Sequence, residues 1–216
     1  MIIKYVGHSC FLIKSNSGTS VLTDPYKSGA YGGALTYAPI ADCADIVTLS
    51  HEHEDHADLH GLPNQPLVVR TECRAMGLNF DVVESFHDNA QGKDRGRNRI
   101  FLFTMDDIRF AHLGDLGEVL TEEQIQELGK IDVLFIPVGG RFTIDPVEAT
   151  RVVEQLNPKI AIPMHFKTEK CGFPIEEVDP FLQGKSHVKR SPTSEVGLSM
   201  EDMPSECTIL FIPPSN

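Results

Sequence analysis

Apolar and polar residues trade places in short runs along most of this chain, and runs of four to six such residues between turn formers read as strands. The first stretch gives three, at 2–6, 10–14 and 20–23, separated by Gly7 and by the turn Ser15-Asn16-Ser17-Gly18, so it reads as a meander. Further strands are expected at 46–49, 67–69, 82–85, 99–104, 108–112, 133–137, 159–163, 187–189 and 208–212. Two helices carry explicit start and stop signals. Thr121 opens TEEQIQELG with Gln124 three residues on and Gly129 as the stop, while Asp145-Pro146-Val147-Glu148 is a capping box with proline at the first helical position, running to Asn157-Pro158. A third helix is expected over 176–182. From Asp132 onward strands and helices alternate, which points to an α/β protein whose helices pack outside a sheet.

Composition narrows this. With 216 residues, 41% of them hydrophobic, the chain can bury one sizeable core, and no linker divides it, so a single domain over 1–216 is expected. The formal charge of -12 disfavours nucleic acid and anionic membranes as partners and favours a small molecule. The N-terminus lacks the pattern of a signal peptide and no apolar run approaches membrane-spanning length, so a soluble, cytoplasmic protein is expected. Five scattered cysteines without a CxxC pair argue against a disulfide framework and against a thiolate zinc site. A metal here must use nitrogen and oxygen ligands.

Such ligands are concentrated in TLSHEHEDHADL, residues 48–59, directly after an expected strand. His51, His53, Asp55 and His56 form HxHxDH, a pattern that this residue usage would produce by chance in roughly one sequence per thousand. Neutral imidazole and carboxylate suit zinc, manganese or iron. Three more candidates, His87 in VVESFHDN, Asp115 in FAHLGDLG and His165 in AIPMHFKT, each lie at or just past the end of an apolar strand.

That ordered set resembles the metallo-beta-lactamase-fold hydrolases over nearly the whole chain, with TDP at Thr23 to Pro25 similar to the family's first motif and HEHEDH to its second. GHSCF, HLGDLG and PVGGRFTIDPVEA look most like the small bacterial metal-dependent hydrolases grouped with ascorbate-phosphate lactonase and, more distantly, with the phospholipase D that cleaves N-acylphosphatidylethanolamine. The resemblance implies a four-layer αβ/βα sandwich with two divalent transition-metal ions at one edge, zinc first and manganese or iron as alternatives. Carried over, His51, His53 and His87 would hold one ion, Asp55, His56 and His165 the other, with Asp115 bridging. Asp55 and Asp115 would be the catalytic carboxylates around a bridging hydroxide. The bonds it suggests are phosphate esters, phosphodiesters or lactones of small molecules; a nuclease of the same fold and a non-catalytic metal-binding protein are the alternatives.

Other residues are weighed beside these. Asp24 is expected to brace a ligand histidine rather than to act chemically, and His8 to hydrogen-bond a ligand or line the pocket. The glycine-rich loop 89–99 carries Arg95 and Arg97, which could clamp an anionic substrate or simply face solvent. Lys167 could offset leaving-group charge or form a surface ion pair. His112 reads as a satisfied core histidine, His60 and His187 as surface residues.

Overall fold

The computed structural model describes residues 1–215. Five strands lead the chain, β1 (Ile2–Gly7), β2 (Cys10–Lys14), β3 (Ser20–Thr23), β4 (Ile46–Thr48) and β5 (Leu67–Val69). A second group follows as β6 (Cys73–Ala75), β7 (Leu78–Phe86), β8 (Arg97–Met105), β9 (Ile108–His112), β10 (Val133–Pro137), β11 (Ile160–Met164) and β12 (Val188–Arg190), and the chain ends with β13 (Glu195–Gly197) and β14 (Thr208–Phe211). They form two sheets, ordered β13-β1-β2-β3-β4-β5 and β12-β14-β11-β10-β9-β8-β7-β6. In the first, β1 to β3 pair antiparallel and β3, β4 and β5 parallel. In the second, β6 to β9 are antiparallel while β9, β10, β11 and β14 run parallel.

The period-two pattern decides which faces meet. Ile3, Tyr5, Phe11, Ile13, Val21 and Ile46 point from the first sheet into a core shared with Phe101, Phe103, Phe110 and Phe135 of the second. Their alternates Cys10, Leu22 and Val47 point the other way and are covered by Tyr26, Leu35, Tyr37 and Ile40. That covering layer is mostly irregular chain; its one helical turn, α1 (Ala30–Gly33), has Tyr31 and Gly32 outside helical φ/ψ. The second sheet is flanked by α2 (Glu122–Leu128) and α3 (Pro146–Leu156), both with capping boxes, on Thr121 and Asp145.

The expected elements are present with shifts at their ends, and three differences have local causes. β6 and β13 are three-residue edge strands with no apolar alternation to announce them. β8 begins two residues before the expected 99 because Arg97 and Asn98 pair with Phe86 and Ser85. The helix expected over 176–182 shrinks to α4 (Asp179–Leu182), since Glu176 is held in extended pairing by Lys167 N–H to its carbonyl and its own N–H to Gly139. Among the described residues no helix is long and apolar enough to cross a membrane.

Parallel strands β3 and β4 of one sheet and β9 to β11 of the other deliver their C-terminal ends to one edge, where ligand sites of such sheets form. Asp24 follows β3, the HEHEDH segment follows β4, His87 follows β7, Asp115 lies just beyond β9, and His165 follows β11. Gly117 and Gly139 let these ends close up: a Cβ on the first would run into the His87 backbone and on the second into the His165 carbonyl.

Candidate metal centre

At this edge the seven expected ligands come together. Single donor atoms of His51, His53 and His87 lie within 4.8 Å of one another, and so do those of Asp55, His56 and His165, joined by His8. Asp115 sits between the two groups. Its Oδ2 is 3.0 Å from His87 Nε2, 3.2 Å from His56 Nε2, 3.3 Å from His165 Nε2 and 3.9 Å from His51 Nε2. His51, Asp55, His56, His87, Asp115 and His165 are all buried, whereas His53 is half-buried and faces the opening.

The tautomers follow from the neighbours. Asp24, fully buried, accepts from Ser50 N–H at 2.8 Å through Oδ1, and from the Ser50 hydroxyl at 2.5 Å and His56 Nδ1 at 3.0 Å through Oδ2. Because the Ser50 hydroxyl spends its one proton on Asp24, it must accept from His51 Nδ1 at 2.9 Å. One carboxylate therefore keeps the proton on Nδ1 of both His51 and His56 and turns both Nε2 atoms inward, where neither has a hydrogen-bond partner. Asp24 also packs 4.0 Å from His112 Nδ1, but its oxygens are spent on protein donors, as expected of a brace. His112 itself is the satisfied core histidine anticipated, bonding the Ser9 carbonyl at 2.9 Å and accepting from Gly114 N–H.

His8, fully buried at φ 56°, bonds Asp55 Oδ2 through Nε2 at 3.1 Å, and its ring lies 4.2 Å from that of His165, tilted by 44°. It therefore braces Asp55 and does not face the cavity. Asp24 (φ 37°) and His165 (φ 49°) share its left-handed backbone, a strain of about 1–3 kcal/mol each that the packed strand ends sustain.

Electrostatics separate the site into two populations. Burial, with His165 nearby, lowers His8 to about 4, and burial with His56 nearby lowers His51 to about 3. For His56 and His87 burial pulls the same way but is overcome by Asp115, so both are raised, His56 well above the usual range. Burial opposes ionisation of Asp115, yet His165, His56 and His87 hold it well below the usual carboxylate range. Without metal, protons held on His56 and His87 supply the positive charge that Asp115 calls for, and a bound cation would take their place. The unpartnered Nε2 atoms of His51 and His56, with Oδ1 of Asp115 also unpartnered, thus fit a cationic occupant.

The donors form the floor of a cavity of about 370 Å³ lined by Tyr31, His53, Asp55, His87, Arg95, Asp115, Phe142, His165 and Phe173. Arg95 reaches it because Asp88 shapes the loop: its carboxylate accepts backbone N–H groups of Ala90, Gly92, Asp94 and Arg95 at 2.8–3.1 Å. The Arg95 guanidinium lies 5.4 Å over the Phe142 ring. Arg97 does not join it. It stands on β8, exposed, 3.9 Å from Glu84, so the pairing of the two expected clamp arginines is corrected by strand register. Lys167 is likewise outside the cavity and donates to the Phe173 carbonyl at 3.1 Å, which corrects its leaving-group role to support of that segment. His60 is exposed, and His187 is an exposed partner of Glu206 at 2.8 Å.

Sequence reasoning missed Tyr31, Asp88, Phe142 and Phe173. Asp88 left a trace, an aspartate followed by Asn-Ala-Gln-Gly, which is turn chemistry. Tyr31 is 47% exposed and donates to Asp55 Oδ1 at 3.2 Å.

Comparison with known proteins agrees with this architecture. The chain is 36% identical to a Thermotoga maritima protein described as a Zn-dependent hydrolase of the metallo-beta-lactamase superfamily, with a TM-score of 0.79 over 98% of this chain and 97% of that one. It is 31% identical over 210 residues to a UPF0173 metal-dependent hydrolase of Geobacillus thermodenitrificans, covering 83% of this chain and 90% of the relative. A UPF0173 metal-dependent hydrolase of Archaeoglobus fulgidus is 28% identical over 211 residues, covering 83% and 87%. Residues 2–165 match the family model for the beta-lactamase superfamily domain, and the chain belongs to that superfamily as a metal-dependent hydrolase of the metallo-beta-lactamase fold.

Proposed function

We propose that this protein hydrolyses a phosphate ester, phosphodiester or lactone bond of a small, anionic molecule, with two divalent ions, zinc first, held by His51, His53 and His87 on one side and Asp55, His56 and His165 on the other, Asp115 between them. The observation that carries the reading is the convergence of three Nε2 atoms within 3.3 Å on one oxygen of Asp115, on the floor of a cavity whose rim carries Arg95. The description of the Thermotoga neighbour as Zn-dependent supports zinc. When bound, the ions would supply an activated water, with a pKa brought down toward about 7, and would stabilise developing negative charge.

The chain's own residues account for the rest. Asp55, oriented by His8 through Oδ2 and by Tyr31 through Oδ1, is placed to hold or pass a proton at the reacting centre. Arg95 offers a planar fork to a phosphate or carboxylate. A cytoplasmic setting fits five free cysteines, two of them exposed.

The test is elemental analysis of purified protein followed by a panel of phosphodiesters, phosphomonoesters and lactones. About two equivalents of transition metal and metal-dependent turnover of at least one panel member are expected. Trace metal only, after reconstitution, would refute the reading.

A further inference from the structure

Three aromatic residues in the cavity wall hold no metal; the Tyr31 hydroxyl orients Asp55, and the rings themselves are left to face a guest. Tyr31 and Phe173 meet edge to face, centroids 5.5 Å apart at 67°, and Phe173 meets Phe142 in the same way at 5.7 Å and 75°. The three come from separate segments, yet the corner is built rather than incidental. The chain around Tyr31 is tied to the chain around Phe173 by the Leu35–Cys171 bridge, by Thr36 N–H to the Lys170 carbonyl at 2.8 Å and by Gly172 N–H to the Ala34 carbonyl at 2.7 Å. Lys167 holds the Phe173 carbonyl, and Glu54 accepts from the Tyr31 N–H at 2.6 Å.

A substrate made only of phosphate and hydroxyl groups would find few polar partners along this wall. Apolar faces gain when an apolar guest displaces water from them, and Tyr31, still 47% exposed, has surface left to bury. Beside the wall, Arg95 lies over Phe142; stacking occupies the face of a guanidinium and leaves its N–H edge for an anion. We infer that the substrate joins an anionic group to a planar apolar one, the anion on Arg95 and the planar group in the corner between Tyr31 and Phe173. This rests on the hydrolase reading above and narrows it toward aryl-type esters and away from sugar phosphates.

Two hydrolysis-resistant probes separate the parts: phenylphosphonate and methylphosphonate share the headgroup and its attraction to metal, and differ in the planar group. Titration calorimetry on zinc-loaded protein should find phenylphosphonate about tenfold tighter. That ratio should fall to about twofold in the Tyr31→Leu/Phe173→Leu variant and persist in Tyr31→Phe, which keeps the ring. Tyr31→Leu alone, at a half-exposed position, should show a partial fall and serves if the double variant does not fold. Equal binding of the two probes by the wild type overturns the aromatic corner while leaving the hydrolase reading, which is judged by metal content and turnover, untouched. Binding of neither probe, with a neutral lactone turned over, overturns the anionic class as well.

Discussion

Asp24→Asn is a one-atom test of how the metal centre is set. Aspartate offers two acceptor oxygens to three donors, Ser50 N–H, Ser50 O–H and His56 Nδ1–H. Asparagine keeps the volume but offers one acceptor and one N–H₂ donor. If its oxygen stays with Ser50 N–H, its amide faces Ser50 Oγ and His56 Nδ1, which must now accept. His56 then carries its proton on Nε2, the atom 3.2 Å from Asp115, and cannot give that lone pair to a metal. The Ser50 hydroxyl can likewise turn, releasing His51 from its fixed tautomer.

The magnitude can be reached by two routes. Losing at least one charge-assisted hydrogen bond costs about 1.5–3 kcal/mol. Partners that orient metal ligands are worth about 10–100-fold in affinity, or about 1.4–2.8 kcal/mol at 1.4 kcal/mol per tenfold. Zinc affinity of Asp24→Asn, measured by competition with a chromophoric chelator, should therefore fall about 10–100-fold. Urea unfolding in EDTA should show a loss of about 1.5–3 kcal/mol in the metal-free protein. Affinity within twofold of wild type, or NMR showing His56 still protonated on Nδ1, would refute the tautomer argument.

Three further outcomes are expected. Asp115→Ala should lose more metal and more turnover than Asp24→Ala, because one carboxylate lies between both ligand groups and the other braces one loop; equal metal loss by elemental analysis counts against the assignment. Arg95→Ala should raise KM for a phosphorylated substrate about tenfold or more, as should Asp88→Ala, which frees the loop, while Arg97→Ala should stay within twofold; equal effects of the two arginine variants would remove the clamp. For His8 the folded pKa of about 4 lies below the unfolded 6.5, so below pH 6.5 the unfolded chain binds the proton first and stability falls with pH until about 4. In EDTA, the stability advantage of wild type over His8→Gln should shrink by up to about 1.4 kcal/mol per pH unit across that window, about 3 kcal/mol in all; a pH-independent difference would refute it.

Why the ligands could be read from the chain while the cavity walls could not has a physical basis. Each ligand stands at or beyond the end of a strand whose apolar run is local, so 46–49, 108–112 and 159–163 were legible without knowing what they pack on. Their backbone is then fixed by hydrogen bonds between strands, and chemistry that must sit at a strand end has a short list of positions. The capping boxes at Thr121 and Asp145 were legible for the same reason, since donor and acceptor lie three residues apart. Tyr31, Phe142 and Phe173 depend on tertiary pairings between residues far apart, Leu35 with Cys171 above all, for which the sequence carries no period. Arg97 shows the intermediate case. RNRIFLF reads as strand from its apolar end, and extending it two residues back pairs Arg97 with Phe86 and brings it 3.9 Å from Glu84, whereas Arg95, beyond the ladder, is free to follow the turn that Asp88 closes. In this fold the strands decide what chemistry is available and the loops decide what it meets, which is why the metal ligands emerge from one chain and the substrate must be inferred from its walls.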